Sequence, residues 1–430
     1  MNAWTKVRSG LEVAPGRIQG SPNLLWVLLG FLLAYVLFYL YPVFLAGTTM
    51  QAPQGVPSIT PIGTDLRQTL NFLKAWLGGE GTPFIQTATY PPLSYLFFWP
   101  LLFVDYSARY GVLTVLTLAA YGVATLVFPL RVGRRRTDLP TAILIFATGL
   151  MSYGLQFELE RGQFDVIAIL LAYAAIWLYH SQTGRKIWAF VLLSVSVQLK
   201  LYPFIFVLLL VGDWRDWKHN AFAIAEFALA NAALLFVMGP GVFVDFVNAI
   251  RVASVRPDLV WTGNHAIHGF VGLALQHAVV RGYVGLTAYA GLMESGLIGI
   301  VGLCLILIVW KAFRTCSVGL NRGLLLVCAV AACLIPTVSN DYKLSILAGP
   351  LAVFLGGVGP IGARLRGRIP LIVAVFVISF AYASTLFPYT YKPQSLVFQN
   401  NFPALFTILL AATAVSLWPG ALPEEPGEAA

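Results

Sequence analysis

The chain has 430 residues, of which 58% are apolar and only 10% charged, with a formal net charge of +9. Apolar content that high, with the charges gathered into short segments, excludes an ordinary soluble enzyme and predicts an all-α polytopic membrane protein. The positive balance has its source in Lys and Arg of cytoplasmic loops, not in a nucleic-acid partner.

Lys6, Arg8 and Arg17 precede an apolar run, residues 24–45, that is too long for a signal-peptide core. The sequence therefore predicts an uncleaved first span with a cytoplasmic N-terminus. A long first outer loop, residues 46–93, follows. Inside it Leu66, Leu70, Leu73 and Leu77 recur at spacings of three and four, predicting an amphipathic helix closed by Gly78 and Gly79 with Asp65 in its first turn. Residues 92–104 are apolar but short for a crossing. They read as a membrane-dipping or interfacial helix after the Tyr90-Pro91-Pro92 turn.

Later spans centre near Leu118, Ile145, Leu171, Val195, Leu208, Leu229, Ile300, Val330, Ala352, Val377 and Leu410, about twelve in all. Around Lys200-Leu201-Tyr202-Pro203 two short helices meet at a proline break. Residues 240–283 form a second outer loop and 419–430 a cytoplasmic tail, all within one membrane domain, residues 1–430. The proposed cytoplasmic segments hold Lys6, Arg8, Arg17, Arg131, Arg134, Arg135, Arg136, Arg185, Lys186, Arg215, Lys218, Lys311, Arg314, Arg322, Arg364, Arg366 and Arg368, which is 17 of the 27 basic residues. Asp65, Glu80, Asp105, Glu158, Glu160, Asp165, Asp245, Asp258 and Asp341 fall on the other side, as positive-inside bias expects.

The outer side carries the candidate chemistry. Asp65 reads either as a carboxylate complementing its helix N-terminus or as a general base held just outside the bilayer. Glu158-Leu159-Glu160-Arg161-Gly162-Gln163-Phe164-Asp165 wedges polar side chains between two apolar helices, which implies a wet cavity. Loop solvation accounts for Glu158 more easily than for Gln163 and Asp165, which enter the following span. Lys200 lies at the proline break, and Ser339-Asn340-Asp341-Tyr342-Lys343 opens a late span. Both lysines either bind an anion or snorkel to headgroups. Trp261-Thr262-Gly263-Asn264-His265 lies in the second outer loop with His268 after it, and no HxxxH or DxD pattern predicts a metal. The four cysteines, Cys304, Cys316, Cys328 and Cys333, have neither metal spacing nor a loop framework. Glu226 and Glu294 are acids inside apolar spans, read as helix packing or as functional groups.

In chain order Asp65, Tyr90-Pro91-Pro92-Leu93, Gly162-Gln163, Lys200 with Pro203, and the element 339–343 resemble the GT-C type of membrane glycosyltransferase, specifically glycosyltransferase family 87. The resemblance implies a mannosyltransferase-like enzyme of the cell inner membrane, with its active site facing the periplasm or exterior. It would move a single mannose-like hexose from a polyprenyl-phosphate carrier to a lipid or glycan acceptor. It carries the role of catalytic base onto Asp65 and suggests that the Gly-Gln and late-span elements line the sugar and phosphate pocket. Substrate contact is then expected from Tyr90, Glu160, Arg161, Gln163, Asp165 and Lys200, and from Asn264, His265, Asn340, Asp341, Tyr342 and Lys343. Asp165 stands where the family pattern suggests Asn, and Asn340-Asp341-Tyr342-Lys343 where such enzymes often offer His. Those departures bear on the sugar and the acceptor. No cofactor or metal is expected, and transfer by one displacement inverts the anomeric centre.

Two other classes fit the hydropathy. A secondary transporter or flippase would show related halves, which the sequence lacks. A lipid-linked polysaccharide polymerase or ligase would rely on arginines and a histidine in a late, larger loop.

Overall fold

The computed structural model describes residues 23–45, 62–80, 84, 90–132, 139–181, 186–254, 256, 259–359, 369–393 and 395–422. Asp258, the acidic tail and the basic residues Lys6, Arg8, Arg17, Arg134, Arg135, Arg136, Arg185, Arg364, Arg366 and Arg368 lie outside the described residues. Among the described residues there is no β-strand, only two isolated antiparallel bridges, Asp213 with Val318 and Asn264 with Asn340.

Helix follows from composition: long apolar runs leave the backbone no polar partner but itself. Leu24–Pro42, Tyr106–Val132 and Val284–Arg314, of 19, 27 and 31 residues, are each long and apolar enough to cross a membrane. Leu139–Leu150 and Tyr153–Arg161 make a further, broken pair, bent by 48°. Shorter apolar helices include Asp165–His180, Lys186–Leu199, Ile267–Val280, Arg322–Leu334, Ile369–Thr385 and Phe402–Leu417. The described helices fit a membrane protein. Every later span centre named above falls in a helix, Leu208 in the 3₁₀ segment Tyr202–Leu209 after the break at Lys200. Residues 240–283, expected as a second outer loop, hold the helices Pro240–Ser254 and Ile267–Val280.

Leu24–Tyr35 packs along Ile369–Thr385, which packs on Phe402–Leu417, while Asp165–His180 lies against Lys186–Leu199. Gly323 to Leu334 and most of Ala348–Gly357 are buried, as expected of helices apolar all round at a bundle centre. A second, smaller core decides where the site sits. The Thr64–Leu77 helix buries Leu66, Leu70 and Leu73 against Tyr95, Phe98, Phe164 and Leu199. Each such leucine contributes roughly 1.5–3 kcal/mol. Leu77, expected on the same face, is exposed where the helix runs out at Gly78. Ser94–Phe98 continues as a 3₁₀ turn to Phe103.

Candidate active site

Two glycines bring the site together. Gly63 (φ 78°) precedes the helix that carries Asp65, and Gly162 (φ 66°) ends the helix that carries Arg161. Both lie in the left-handed region where an L side chain is strained. The Gly63 N–H donates to the Glu160 carbonyl at 2.6 Å. A Cβ on Gly162 would stand 2.9 Å from Leu66 Cβ and 3.2 Å from Gly63 Cα. One helix N-terminus thus abuts another's C-terminus, and Asp65 meets Arg161.

From that junction a continuous polar chain runs inward. Arg161 Nη2 lies 2.9 Å from Asp65 Oδ1, and Gln163 Nε2 donates to Asp65 Oδ2 at 2.5 Å. Gln163 Oε1 accepts from Lys200 Nζ at 2.9 Å and from the Tyr90 hydroxyl at 3.1 Å. Lys200 Nζ also lies 3.0 Å from Asp165 Oδ2 and sits over the rings of Tyr90, Phe164 and Tyr342. Burial pushes the Tyr90 phenol up, with Lys200 opposing, so it stays a donor.

Lys200 and Lys343 are each only 6% exposed, so neither reaches headgroups; the snorkelling alternative is overturned. Their environments differ. Lys200 is neutralised by Asp165, whereas Lys343 donates to the Val338 carbonyl at 2.8 Å and stands 5.0 Å over the Tyr202 ring. No carboxylate among the described residues lies within ion-pair distance of Lys343. Arg161, whose guanidinium also lies over Phe157, keeps a buried Nε with no partner among the described residues.

A second, enclosed network joins three segments behind the first. Asp341 Oδ1 accepts from His265 Nδ1 at 3.0 Å and from Asn401 Nδ2 at 2.9 Å. The Ser339 hydroxyl lies 3.0 Å from His265 Nε2, and Lys392 donates to Asn401 Oδ1. Asn264 Oδ1 accepts from the Ser339 and Ala266 N–H groups, and Asn400 donates to the Asn264 carbonyl. Ser339, His265 and Asp341 are arranged like a nucleophile, base and orienter, but all three are fully buried among protein groups. Burial pushes the His265 imidazole down, against Asp341. Its Nδ1 faces the Asp341 carboxylate and its Nε2 the Ser339 hydroxyl. Asn264 and His265 therefore touch protein and hold the segments together.

Among the expected site residues, the first network gathers Asp65, Tyr90, Arg161, Gln163, Asp165 and Lys200. The second gathers Asn264, His265 and Asp341. Tyr342 bridges them, packed on Phe157 with Lys200 over its ring. Asn340 accepts from the Trp261 indole, and Glu160 contributes its carbonyl at the glycine junction. Glu158 was not expected here. It is fully buried, accepting from the Val166 N–H at 2.8 Å and the Ser345 hydroxyl at 2.6 Å, which overturns loop solvation as its explanation. Asn400, Asn401 and Lys392 were also missed, although an Asn-Asn pair opening the apolar helix Phe402–Leu417 was visible in the sequence. Glu294 pairs with His268 at 3.0 Å, which favours helix packing for that acid. Among the described residues no three His, Cys, Asp or Glu side chains gather as a metal site.

The sequence profile of glycosyltransferase family 87 matches residues 88–337, more than half of the chain, which takes in most of the first network but only Asn264 and His265 among the side chains of the second. The chain belongs to glycosyltransferase family 87. Over 220 residues it is 27% identical to a polyprenol-phosphate-mannose-dependent alpha-(1-2)-phosphatidylinositol pentamannoside mannosyltransferase of Mycobacterium tuberculosis (strain CDC 1551 / Oshkosh). That match covers 51% of this chain and 50% of the other, so the chain spans about half the length of the curated relative it matches. No solved structure matches it. Asp65 lies ahead of the matched residues, whereas Arg161, Gln163 and Lys200 lie within them.

Proposed function

We propose that this family 87 protein is a membrane glycosyltransferase that moves one mannose-like hexose from a polyprenyl-phosphate carrier to a lipid or glycan acceptor, on the outer face of the inner membrane, with inversion. The observation that carries the reading is the Asp65 carboxylate, fixed on one oxygen by Arg161 and on the other by Gln163. Each oxygen keeps a second acceptor position, and the side chain is 16% exposed. A carboxylate so held is oriented and ready to take a proton.

The chemistry then balances. The acceptor hydroxyl oxygen bonds to the anomeric carbon, the bond from that carbon to the phosphate oxygen breaks, and polyprenyl phosphate departs with the electron pair. The hydroxyl proton goes to Asp65. Lys343, buried and with donors to spare, and the Arg161 Nε, which has no partner among the described residues, are the groups assigned to the phosphate. Lys200 is assigned to holding Gln163 and Asp165, and Asn264 and His265 to holding the late segment in place. About twelve spans with both termini cytoplasmic remain part of this reading.

The purified protein in vesicles, given radiolabelled polyprenyl-phosphate mannose and a phosphatidylinositol mannoside, should transfer label to the acceptor. Transfer from a nucleotide-linked mannose but not from the polyprenyl donor would overturn the donor assignment.

A further inference from the structure

Next to the Arg161 that holds Asp65 stands a set of aromatic rings that the reaction as derived does not use. The Trp261 indole lies flat over its own loop: a Cβ on Gly263 would come within 2.2–2.9 Å of three indole carbons, so only glycine admits the ring there. Its Nε1–H donates to Asn340 Oδ1 at 3.2 Å, which locks the ring plane. Phe157 stands at 79° to the indole with centroids 6.4 Å apart, and Tyr389 at 86° and 6.5 Å. Trp261 and Tyr389 remain partly exposed, so the corner these rings form is not sealed by the protein.

The corner is joined to the reacting group. The Arg161 guanidinium that holds Asp65 sits 5.9 Å over the Phe157 ring. Within it lies a polar atom lacking a partner. Tyr153, stacked on Phe157 at 5.6 Å and 9°, is 2% exposed, and its hydroxyl has no partner among the described residues. That hydroxyl stands in the field of Asp341, Tyr389 and Glu160. A buried phenol without a partner is costly unless something supplies one.

We propose that this corner is an acceptor-side saccharide subsite, which takes a hexopyranose ring of the acceptor glycan on the Trp261 indole. The proposal rests on the transferase reading and names where the acceptor sits. The chemistry suits a pyranose. Its C–H face is apolar, with hydrogens that complement the negative face of an indole. Its ring hydroxyls meet the Tyr153 phenol, which has no partner among the described residues. A purely aliphatic tail would leave the phenol unpaired.

The test measures binding of methyl mannobioside to the purified full chain in a detergent without a sugar headgroup, beside acceptor-dependent transfer rates. Trp261→Ala should weaken mannobioside binding, and raise the acceptor KM, by about tenfold, while binding of polyprenyl phosphate is unchanged. Trp261→Phe should recover most of the loss, and Tyr389→Leu should weaken binding in the same direction without touching Gly263. Wild-type binding in Trp261→Ala and Tyr389→Leu, or no mannobioside binding by the wild type, overturns the subsite. The two readings fail separately. Normal transfer with an unchanged acceptor KM in Trp261→Ala removes the subsite alone. Trp261-dependent mannobioside binding with no transfer from any polyprenyl donor keeps the glycan site and removes the transferase reading.

Discussion

Lys200 and Lys343 show how one residue type takes two roles. Removing Lys200 strands the fully buried Asp165 carboxylate, so Lys200→Ala should cost about 3–5 kcal/mol of stability, read as a fall in thermal midpoint. Removing Lys343 strands only a carbonyl. Lys343→Ala should leave the midpoint nearly unchanged but weaken donor binding by about 1.5–3 kcal/mol, one charge-assisted contact. The reverse pattern in a donor titration would exchange their roles. At His265 the folded imidazole is held below its ordinary value chiefly by burial, so the unfolded chain takes up a proton that the folded one refuses. The group is silent above about pH 6.5 and costs stability as the pH falls through that value. Thermal unfolding over roughly pH 5 to 8 should therefore decline more steeply in the wild type than in His265→Asn. Parallel curves would contradict the account. The sequence offered anion binding for both lysines; that Lys200 pairs with Asp165 while Lys343 has no such partner among the described residues was not legible, since burial and pairing are properties of the packed chain.

The helix junction carries its own prediction. Gly162 and Gly79 both have positive φ, but only Gly162 has neighbours where a Cβ would go. Gly79→Ala should cost the backbone term alone, about 1–2 kcal/mol. Gly162→Ala adds the clash with Leu66 and Gly63, parts Arg161 from Asp65, and should lose transfer activity as well as stability. Equal effects in the two variants would show that the close approach has no consequence. The amphipathic helix was legible from the spacing of Leu66, Leu70 and Leu73, and its glycine stop from Gly78. The join to residues 158–163 was not, because Gly63 and Gly162 are 99 positions apart and nothing local ties them. Glu158 was misread for a related reason: its partners, the Val166 N–H and Ser345, come from across a turn and from a distant segment.

For the whole molecule, hydropathy indicates the helices and the basic residues set an expectation of sidedness, but neither gives the depth at which each helix sits. Helix positions were therefore legible, whereas the span count depends on how short helices such as Arg322–Leu334 stack. Cysteines placed at Gly79 and Arg215, both exposed, test the sidedness in intact cells. An impermeant thiol reagent should reach position 79 and not 215, and the opposite result would invert the topology. In the proposed reaction Asp65 accepts the proton of the attacking hydroxyl. Single-turnover mannose transfer from polyprenyl-phosphate mannose in reconstituted wild type and Asp65→Asn reads that step. The substitution keeps the shape of the side chain and removes the base. The account predicts that Asp65→Asn folds and binds donor normally but transfers about 10²–10⁴-fold more slowly; transfer at the wild-type rate would contradict it.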